Sequence, residues 1–218
     1  MHILVTGPTG TGKTVLTRHV ARIRQYVVVV GTKPRDASLD AYIEEGYLRI
    51  DHWPPTRQDL REFDGLGEVR LLVWPNIRHR DELRAHRPLF RKVIDDIFAE
   101  GYWTIVIDEG LWATSPKGLD LGDDLSELAY GARSSDVSMI MLAQRLPPNV
   151  PIIWTSVSQA LLFHQGRTDD IRELASLGTY EPKAAALAMQ SLNGHQFLDL
   201  PVRAQAEWAI SEVDPSWV

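Results

Sequence analysis

Short apolar segments alternate along the chain with longer stretches in which apolar residues recur at helical spacing. The apolar runs predict strands at residues 3–6, 26–30, 69–74, 104–107, 138–143 and 160–164. Helical periodicity between them predicts helices at residues 12–24, 88–100, 123–132 and 169–177. Continuous apolar strands that alternate with helices are typical of buried parallel sheets. The pattern therefore predicts an α/β fold with a mainly parallel central sheet flanked by helices.

The pattern changes after residue 177. One more helix is predicted in "EPKAAALAMQSL", and two strands that could form a short hairpin are predicted in "HQFLDL" and "RAQAEWAI". Upstream, "YLRI" near Tyr47 predicts an extra edge strand, and Thr168 is placed to cap the helix at residues 169–177. Because no flexible linker interrupts the chain, we expect one domain over residues 1–218, with the segment from about residue 179 packed on the same core.

Composition and charge exclude several classes of protein. Of the 218 residues, 44% are apolar, which is enough for a sizeable core, and none is cysteine, which excludes disulfides and thiolate catalysis. The apolar runs are too short to cross a bilayer, so a soluble, intracellular protein is expected. The formal net charge of −6 means that any contact with a polyanion has to be local.

The segment "GPTGTGKT", residues 7–14, follows the first predicted strand and opens the first predicted helix. It satisfies G-x-x-x-x-G-K-[ST] in that context, which is typical of a loop whose backbone N–H groups surround nucleotide phosphates. Lys13 would contact the β- and γ-phosphates, and the Thr14 hydroxyl would bind Mg²⁺. The predicted nucleotide-binding residues are Gly7, Pro8, Thr9, Gly10, Thr11, Gly12, Lys13 and Thr14.

Two acids follow the apolar strand in "WTIVIDEG". In a protein with a phosphate-binding loop, Asp108 would hold Mg²⁺ through water, and Glu109 would act as the general base on the attacking water. The pair favours ATP hydrolysis over a simple kinase reaction. The sequence therefore predicts ATP and Mg²⁺ as cofactors, although an ordinary acidic turn is the alternative interpretation.

Two further polar positions are candidates for catalysis. Gln144 ends the strand in "VSMIMLAQ" and is suited to sense a γ-phosphate or orient water, if that strand lies beside the acids. Arg133, near the end of a helix, either satisfies the last helix carbonyls or is offered to the ATP of a neighbouring subunit. The second role would imply a ring, and Arg145 is an equally credible residue for it.

The order of these parts resembles the FtsK/HerA superfamily of DNA-pumping ATPases. The resemblance rests on the loop at residues 7–14, "IVIDE", a helix ending "GARSSDVS", "AQRLPPNVP", residues 158–178 and "LNGHQFLDL". Ala143 and Leu146 depart from the usual pattern around Gln144. A bare motor of this size is most similar to viral genome-packaging ATPases. The resemblance implies a homomeric ring of five or six subunits that moves double-stranded DNA at a capsid or portal vertex, in the host cytoplasm or associated with the virion.

Contacts with DNA are expected at basic residues on loops, because a ring motor grips phosphates without reading sequence. The candidates are Lys33, Arg35 and Lys117. A basic run is a weaker candidate, since charged residues on a helix are usually a solvated face or a subunit contact; its cations are Arg78, Arg80, Arg84, Arg87, Arg91 and Lys92.

Two other functions remain open at this point. One is an assembly or secretion ATPase that resembles zona occludens toxin-like proteins, or another FtsK/HerA-type DNA-transfer ATPase. The other is a nucleotide-dependent binding module or a small-molecule kinase, which would turn over without forming rings.

Overall fold

The structure is a computed structural model that describes residues 1–33, 35–76, 79, 82–146, 151–178, 181–203 and 206–217. Its strands are β1 (His2–Thr6), β2 (Tyr26–Val30), β3 (Leu48–Ile50), β4 (Val69–Val73), β5 (Thr104–Ile107), β6 (Ser138–Ala143), β7 (Gln159–Phe163), β8 (Gln196–Pro201) and β9 (Ala209–Glu212). Its helices are α1 (Lys13–Arg22), α2 (Ala37–Glu44), α3 (Arg57–Arg61), α4 (Glu82–Ala85), α5 (Arg87–Glu100), α6 (Gly110–Thr114), α7 (Gly122–Ser135), α8 (Pro151–Ser156), α9 (Thr168–Ala175) and α10 (Pro182–Ser191). A 3₁₀ turn, Pro215–Trp217, follows β9.

All nine strands belong to one sheet in the order β3-β4-β2-β5-β6-β1-β7-β8-β9. The pairs from β3 to β7 are parallel, whereas β8 pairs antiparallel with β7 and β9 antiparallel with β8. The predicted α/β fold with a mainly parallel sheet, an edge strand after Tyr47 and a C-terminal hairpin is confirmed.

The central strands are apolar because both of their faces are covered. Val28 and Val30 on β2 belong to a core that also includes residues of α5, α7, α9 and α10. Their neighbours Val27 and Val29 belong to a second core on the other face, together with Leu16 of α1. Alternate residues of a strand point to opposite faces, so a strand covered on both sides has to be apolar throughout.

The predicted sheet strands agree with the observed ones to within one residue, but five helices were not predicted: α2, α3, α4, α6 and α8. The predicted second strand of the hairpin was placed too early, since β9 begins at Ala209. The predicted cap at Thr168 is wrong. Thr168 is already the first helical residue of α9, the capping position belongs to Arg167, and no side chain caps this end.

The parallel arrangement positions the candidate site. The loops after β1, β2, β5 and β6 all leave from the carboxyl ends of neighbouring strands, so they meet at one edge of the sheet. In open α/β sheets this is the edge at which ligands bind. Of the helices that the structure describes, none has the length and apolar character needed to cross a membrane.

Candidate nucleotide site

The loop at residues 7–14 joins β1 to α1 at the carboxyl edge of the sheet. Gly12 is the residue before the helix and has a φ of 98°, in the left-handed region that glycine tolerates without strain. Its carbonyl accepts the hydrogen bond from the backbone N–H of Leu16, 2.9 Å away. The free N–H groups of the first turn of α1 therefore face the cavity beside the loop, as the phosphate-binding interpretation requires.

One cavity of about 430 Å³ brings most of the predicted site residues together. Its lining includes Thr9, Gly10, Gly12, Lys13, Thr14, Lys33, Asp108, Glu109, Ala143, Gln144 and His195. Gly7, Pro8 and Thr11 belong to the same loop but are not among the lining residues. The loop, the acid pair and Gln144 thus meet at a single site, because β6 lies between β5 and β1 in the sheet.

Lys13 folds back onto its own loop. Its ammonium donates a hydrogen bond to the carbonyl of Pro8 at 2.7 Å, and the Thr11 hydroxyl donates to the same carbonyl at 3.0 Å. Burial lowers the pKa of Lys13, while the nearby charges of Glu109 and Asp108 act in the opposite direction. An anion that binds in the loop would offer this ammonium a stronger, charged acceptor than a carbonyl.

Asp108 is the most deeply buried charged group of the site. Its side chain is 3% exposed, and its Oδ2 atom is buried without a hydrogen-bond partner. Burial raises the pKa of Asp108 to about 6; Lys33 opposes this shift, and Asp36 and Glu109 add to it. A buried carboxylate oxygen with no donor beside it fits a hard cation such as Mg²⁺, which prefers oxygen ligands.

Thr14 and Asp108 would hold such a Mg²⁺ ion, which would neutralise charge that develops on transferring phosphoryl oxygens. In the part of the chain that the structure describes, no three His, Asp or Glu side chains are arranged to hold a metal ion by themselves. Mg²⁺ usually keeps several water ligands, and phosphate oxygens of a nucleotide would share its coordination with Thr14 and Asp108.

Glu109 lies directly before α6, and its side chain is 17% exposed. The next residue is Gly110, where a Cβ atom would lie 2.7 Å from the Met141 side chain and 3.1 Å from the Leu142 carbonyl. The glycine thus lets α6 approach β6 closely enough to keep Glu109 in the cavity. Gln144 is exposed at the end of β6, beside the acids, as the sequence predicted from the order of the strands.

Arg133 and Arg145 lie beyond opposite ends of β6: Arg133 before its amino end and Arg145 after its carboxyl end. Arg133 is in the last turn of α7, and the backbone after it enters the amino end of β6, where the Ser138 N–H donates to the Trp103 carbonyl. The six residues of β6 separate that end from the cavity by about 20 Å. Arg145 instead follows Gln144, is about half exposed, and lies 3.8 Å from Asp170.

The three predicted DNA contacts lie in different settings. The Lys33 ammonium lies inside the cavity, 3.6 Å from Asp108 and 3.7 Å from Glu109. Arg35 is exposed two residues later, and Lys117 is exposed in the turn after α6. A DNA contact remains a prediction for all three; Arg35 and Lys117 are exposed, and the Lys33 side chain is 40% exposed although its ammonium is paired with acids.

The described cations of the basic run all make hydrogen bonds or ion pairs within the chain. Arg84 donates to the Pro116 carbonyl at 3.2 Å, and Lys92 pairs with Asp96 on α5. The cations of Arg87 and Arg91 pair with acids at or before the start of α7, namely Asp120 and Asp124. Arg78 and Arg80 lie outside the described residues.

The sequence analysis missed His195, which follows α10 and reaches the loop at residues 7–14 from the far end of the chain. Its Nδ1 atom lies 3.1 Å from the Thr11 carbonyl, so Nδ1 carries the proton and donates. The same C-terminal segment places the ring of Trp217 against that of His19 on α1, with centroids 3.8 Å apart. The one local signal was the glycine turn in "LNGHQF", which says nothing about what the histidine contacts.

These features define the fold as that of P-loop ATPases, and comparison with solved structures agrees. The DNA-packaging ATPase B204 of Sulfolobus turreted icosahedral virus is 17% identical, with a TM-score of 0.66 over 97% of this chain and 96% of that chain. B204 of Sulfolobus turreted icosahedral virus 2, solved with ATP-γS, is 16% identical, with a TM-score of 0.61 over 97% and 96%.

A third solved structure widens the range of functions among proteins of similar fold. The cytoplasmic domain of the type VII secretion ATPase EccC of Thermomonospora curvata is 16% identical, with a TM-score of 0.59 over 97% of this chain and 25% of that chain. Neither a comparison with models of protein families nor one with curated proteins found a match. At these identities the likeness establishes the fold, and the function has to be argued from the site.

Proposed function

We propose that the protein is an ATPase that translocates double-stranded DNA as a subunit of a homomeric ring, namely a viral genome-packaging motor. One observation carries the proposal. The loop at residues 7–14, Asp108 with Glu109, and Gln144 line one cavity in a chain whose whole length matches that of a DNA-packaging ATPase.

ATP hydrolysis is supported by the chemistry of the cavity. Lys13 and the first N–H groups of α1 would bind the phosphates, and Thr14 and Asp108 would position Mg²⁺. Glu109 would take a proton from the attacking water, and Gln144 would orient that water or sense the γ-phosphate. A nucleotide-binding module without turnover would not need a second acid beside the first.

The position of Arg133 is consistent with a ring. Its backbone lies beyond the amino end of β6, a strand of six residues that spans about 20 Å, whereas the cavity lies at the carboxyl end, so we propose that Arg133 acts at the site of another subunit. A guanidinium supplied by a neighbour stabilises charge on the phosphoryl oxygens and couples adjacent sites. The partners we propose are therefore further copies of the chain, double-stranded DNA, and capsid or portal proteins, in the host cell or the virion.

ATPase activity measured with and without linear duplex DNA tests the proposal. We expect turnover that duplex DNA stimulates, and loss of turnover by at least about 100-fold in Lys13→Ala and Glu109→Gln. Matched controls are Lys183→Ala and Glu173→Gln, which make the same changes at exposed positions. Unchanged turnover in either site variant would contradict the catalytic assignment.

A second candidate is favoured by the similarity to EccC, a secretion ATPase. An assembly or secretion ATPase would use the same cavity but act on a protein substrate. Sedimentation with and without DNA separates the two functions, since a DNA motor should form rings on duplex DNA. ATP turnover that is indifferent to DNA, by a protein that does not assemble on it, would favour the second candidate.

A further inference from the structure

The loop between β2 and α2 holds Lys33 at a defined place beside the acid pair. The indole N–H of Trp74, which is 3% exposed, donates to the Lys33 carbonyl at 2.6 Å and fixes the backbone there. Three residues later Asp36 caps α2 by accepting from the Ser38 N–H at 2.9 Å. The Lys33 carbonyl and the start of α2 are therefore both held by hydrogen bonds.

The Lys33 ammonium lies among three carboxylates that come from two different loops. It donates to Asp36 at 2.8 Å, and it lies 3.6 Å from Asp108 and 3.7 Å from Glu109. Burial acts to lower the pKa of Lys33, but the hydrogen bond to Asp36 and the nearby acids raise it above its usual value. Lys33 therefore carries its positive charge beside the carboxylates of Asp108 and Glu109 and balances part of their negative charge.

The contact with Asp108 is electrostatic rather than a hydrogen bond. At 3.6 Å the ammonium is too far from Oδ2 for a hydrogen bond, and that oxygen has no other donor. The lysine thus neutralises the buried carboxylate without using the lone pairs that a metal ion or its water ligands would need. Only Asp36 is bound at full hydrogen-bonding distance, and Asp36 keeps the lysine tethered.

We propose that Lys33 is a positioning residue, a tethered counter-ion that holds Asp108 and Glu109 in the nucleotide-free protein and gives way to Mg²⁺ when the metal arrives with ATP. The inference rests on the metal role proposed for Asp108. Two cations of total charge three cannot share this carboxylate pair without repulsion. Free metal is therefore kept from the empty site, and the nucleotide phosphates supply the ligands that let Mg²⁺ displace the lysine.

Titration of the nucleotide-free protein with Mn²⁺, with free Mn²⁺ followed by electron paramagnetic resonance, tests the proposal. Mn²⁺ is a suitable probe because it prefers the same hard oxygen ligands as Mg²⁺. We expect weak binding by the wild type and at least about tenfold tighter binding by Lys33→Met and by Lys33→Gln. Lys33→Arg keeps the charge and should bind as weakly as the wild type.

Two controls assign the effect to this site. Lys183→Met removes the same charge from an exposed position on α10 and should leave Mn²⁺ binding unchanged. Adding Asp108→Asn to Lys33→Met should abolish the gain in affinity. Mn²⁺ binding that is the same in Lys33→Met, Lys33→Gln and the wild type overturns the proposal, and so does a gain that survives Asp108→Asn.

The test contains neither nucleotide nor DNA, so its outcome is separate from that of the ATPase assay. Tighter Mn²⁺ binding in a chain that fails to hydrolyse ATP would support the counter-ion and contradict the proposed function. Normal ATP turnover together with unchanged Mn²⁺ binding in the Lys33 variants would support the proposed function and contradict the counter-ion role of Lys33.

Discussion

Replacing Asp108 by asparagine is expected to stabilise the nucleotide-free protein at neutral and alkaline pH. The wild-type carboxylate is charged there, although its side chain is 3% exposed and its Oδ2 atom has no hydrogen-bond partner. Asparagine has nearly the same shape and carries no charge, so the cost of burying the charge is removed. Lys33 has a separate hydrogen bond to Asp36 at 2.8 Å, which the substitution does not remove.

The size of the effect follows from the pKa of Asp108. Burial raises this pKa from 3.8 in the unfolded chain to about 6 in the folded one. The folded chain therefore binds the proton more tightly, and the stability due to that proton is present below pH 4 and lost as the pH rises through 6. A shift of roughly two pH units corresponds to about 3 kcal/mol of unfolding free energy.

Urea unfolding followed by tryptophan fluorescence, in the presence of a chelator, measures the difference between Asp108→Asn and the wild type at each pH. We expect the variant's advantage to grow from about 1 kcal/mol at about pH 4.5 to about 3 kcal/mol at about pH 8. Asp95→Asn removes a charge from an exposed position on α5 and should show no such growth. A difference that is constant with pH would refute the reasoning, because the burial of charge could not then be its cause.

Two further predictions concern the loop at residues 7–14 and the surface. His195→Ala removes the hydrogen bond to the Thr11 carbonyl, so ATP-γS affinity measured by calorimetry should fall about fivefold, corresponding to about 1 kcal/mol, with little change in melting temperature; unchanged affinity would mean that the histidine does not support the loop. If Arg35 and Lys117 contact DNA phosphates, the double variant Arg35→Ala/Lys117→Ala should lower the slope of log affinity against log salt by about 2. Lys183→Ala is the matched control, and an unchanged slope would exclude both residues as contacts.

The sheet could be predicted from the sequence because strands that are buried on both faces consist of continuous runs of apolar residues. β2 consists of Tyr26 followed by four buried valines, and β5 and β6 are apolar after their first residues, Thr104 and Ser138. The edge that carries the site could also be predicted, since parallel strands end together. Predicting that Gln144 lies beside Glu109 also required β5 and β6 to be neighbours in the sheet. Their succession along the chain indicated this correctly.

The starts of α3 and α9 show that a capping sequence alone does not determine where a helix begins. Thr56 and Asp59 form a complete capping box at the start of α3, and the sequence "TRQD" carries that signal, yet α3 was not predicted. Thr168 carries a similar signal, but the helix begins one residue earlier than a cap there would require. In α3 the cap is the main local feature of a five-residue helix without a buried face. In α9 the buried residues Ile171 and Leu174 determine how the helix lies.

The contacts that the sequence did not reveal are those that depend on the strand order. Lys33 was predicted to contact DNA as a basic residue on a loop, and that stays a prediction; its contacts with the acid pair were not predicted. It reaches Asp108 because β2 and β5 are neighbours in the sheet, although more than seventy residues separate them along the chain. His195 reaches Thr11 because β8 extends the sheet on the side of β1 and β7.

In both cases the same topology that gathers the acids and the loop at one edge also brings in a cation and a hydrogen-bond donor. The nucleotide cavity is therefore in contact with segments from two distant parts of the chain. Through Lys33 it is linked to the loop that carries Arg35, and through His195 to the C-terminal hairpin. If Mg²⁺ and ATP bind in the cavity as proposed, the charge around Lys33 changes, and Lys33 belongs to the same loop as the exposed Arg35.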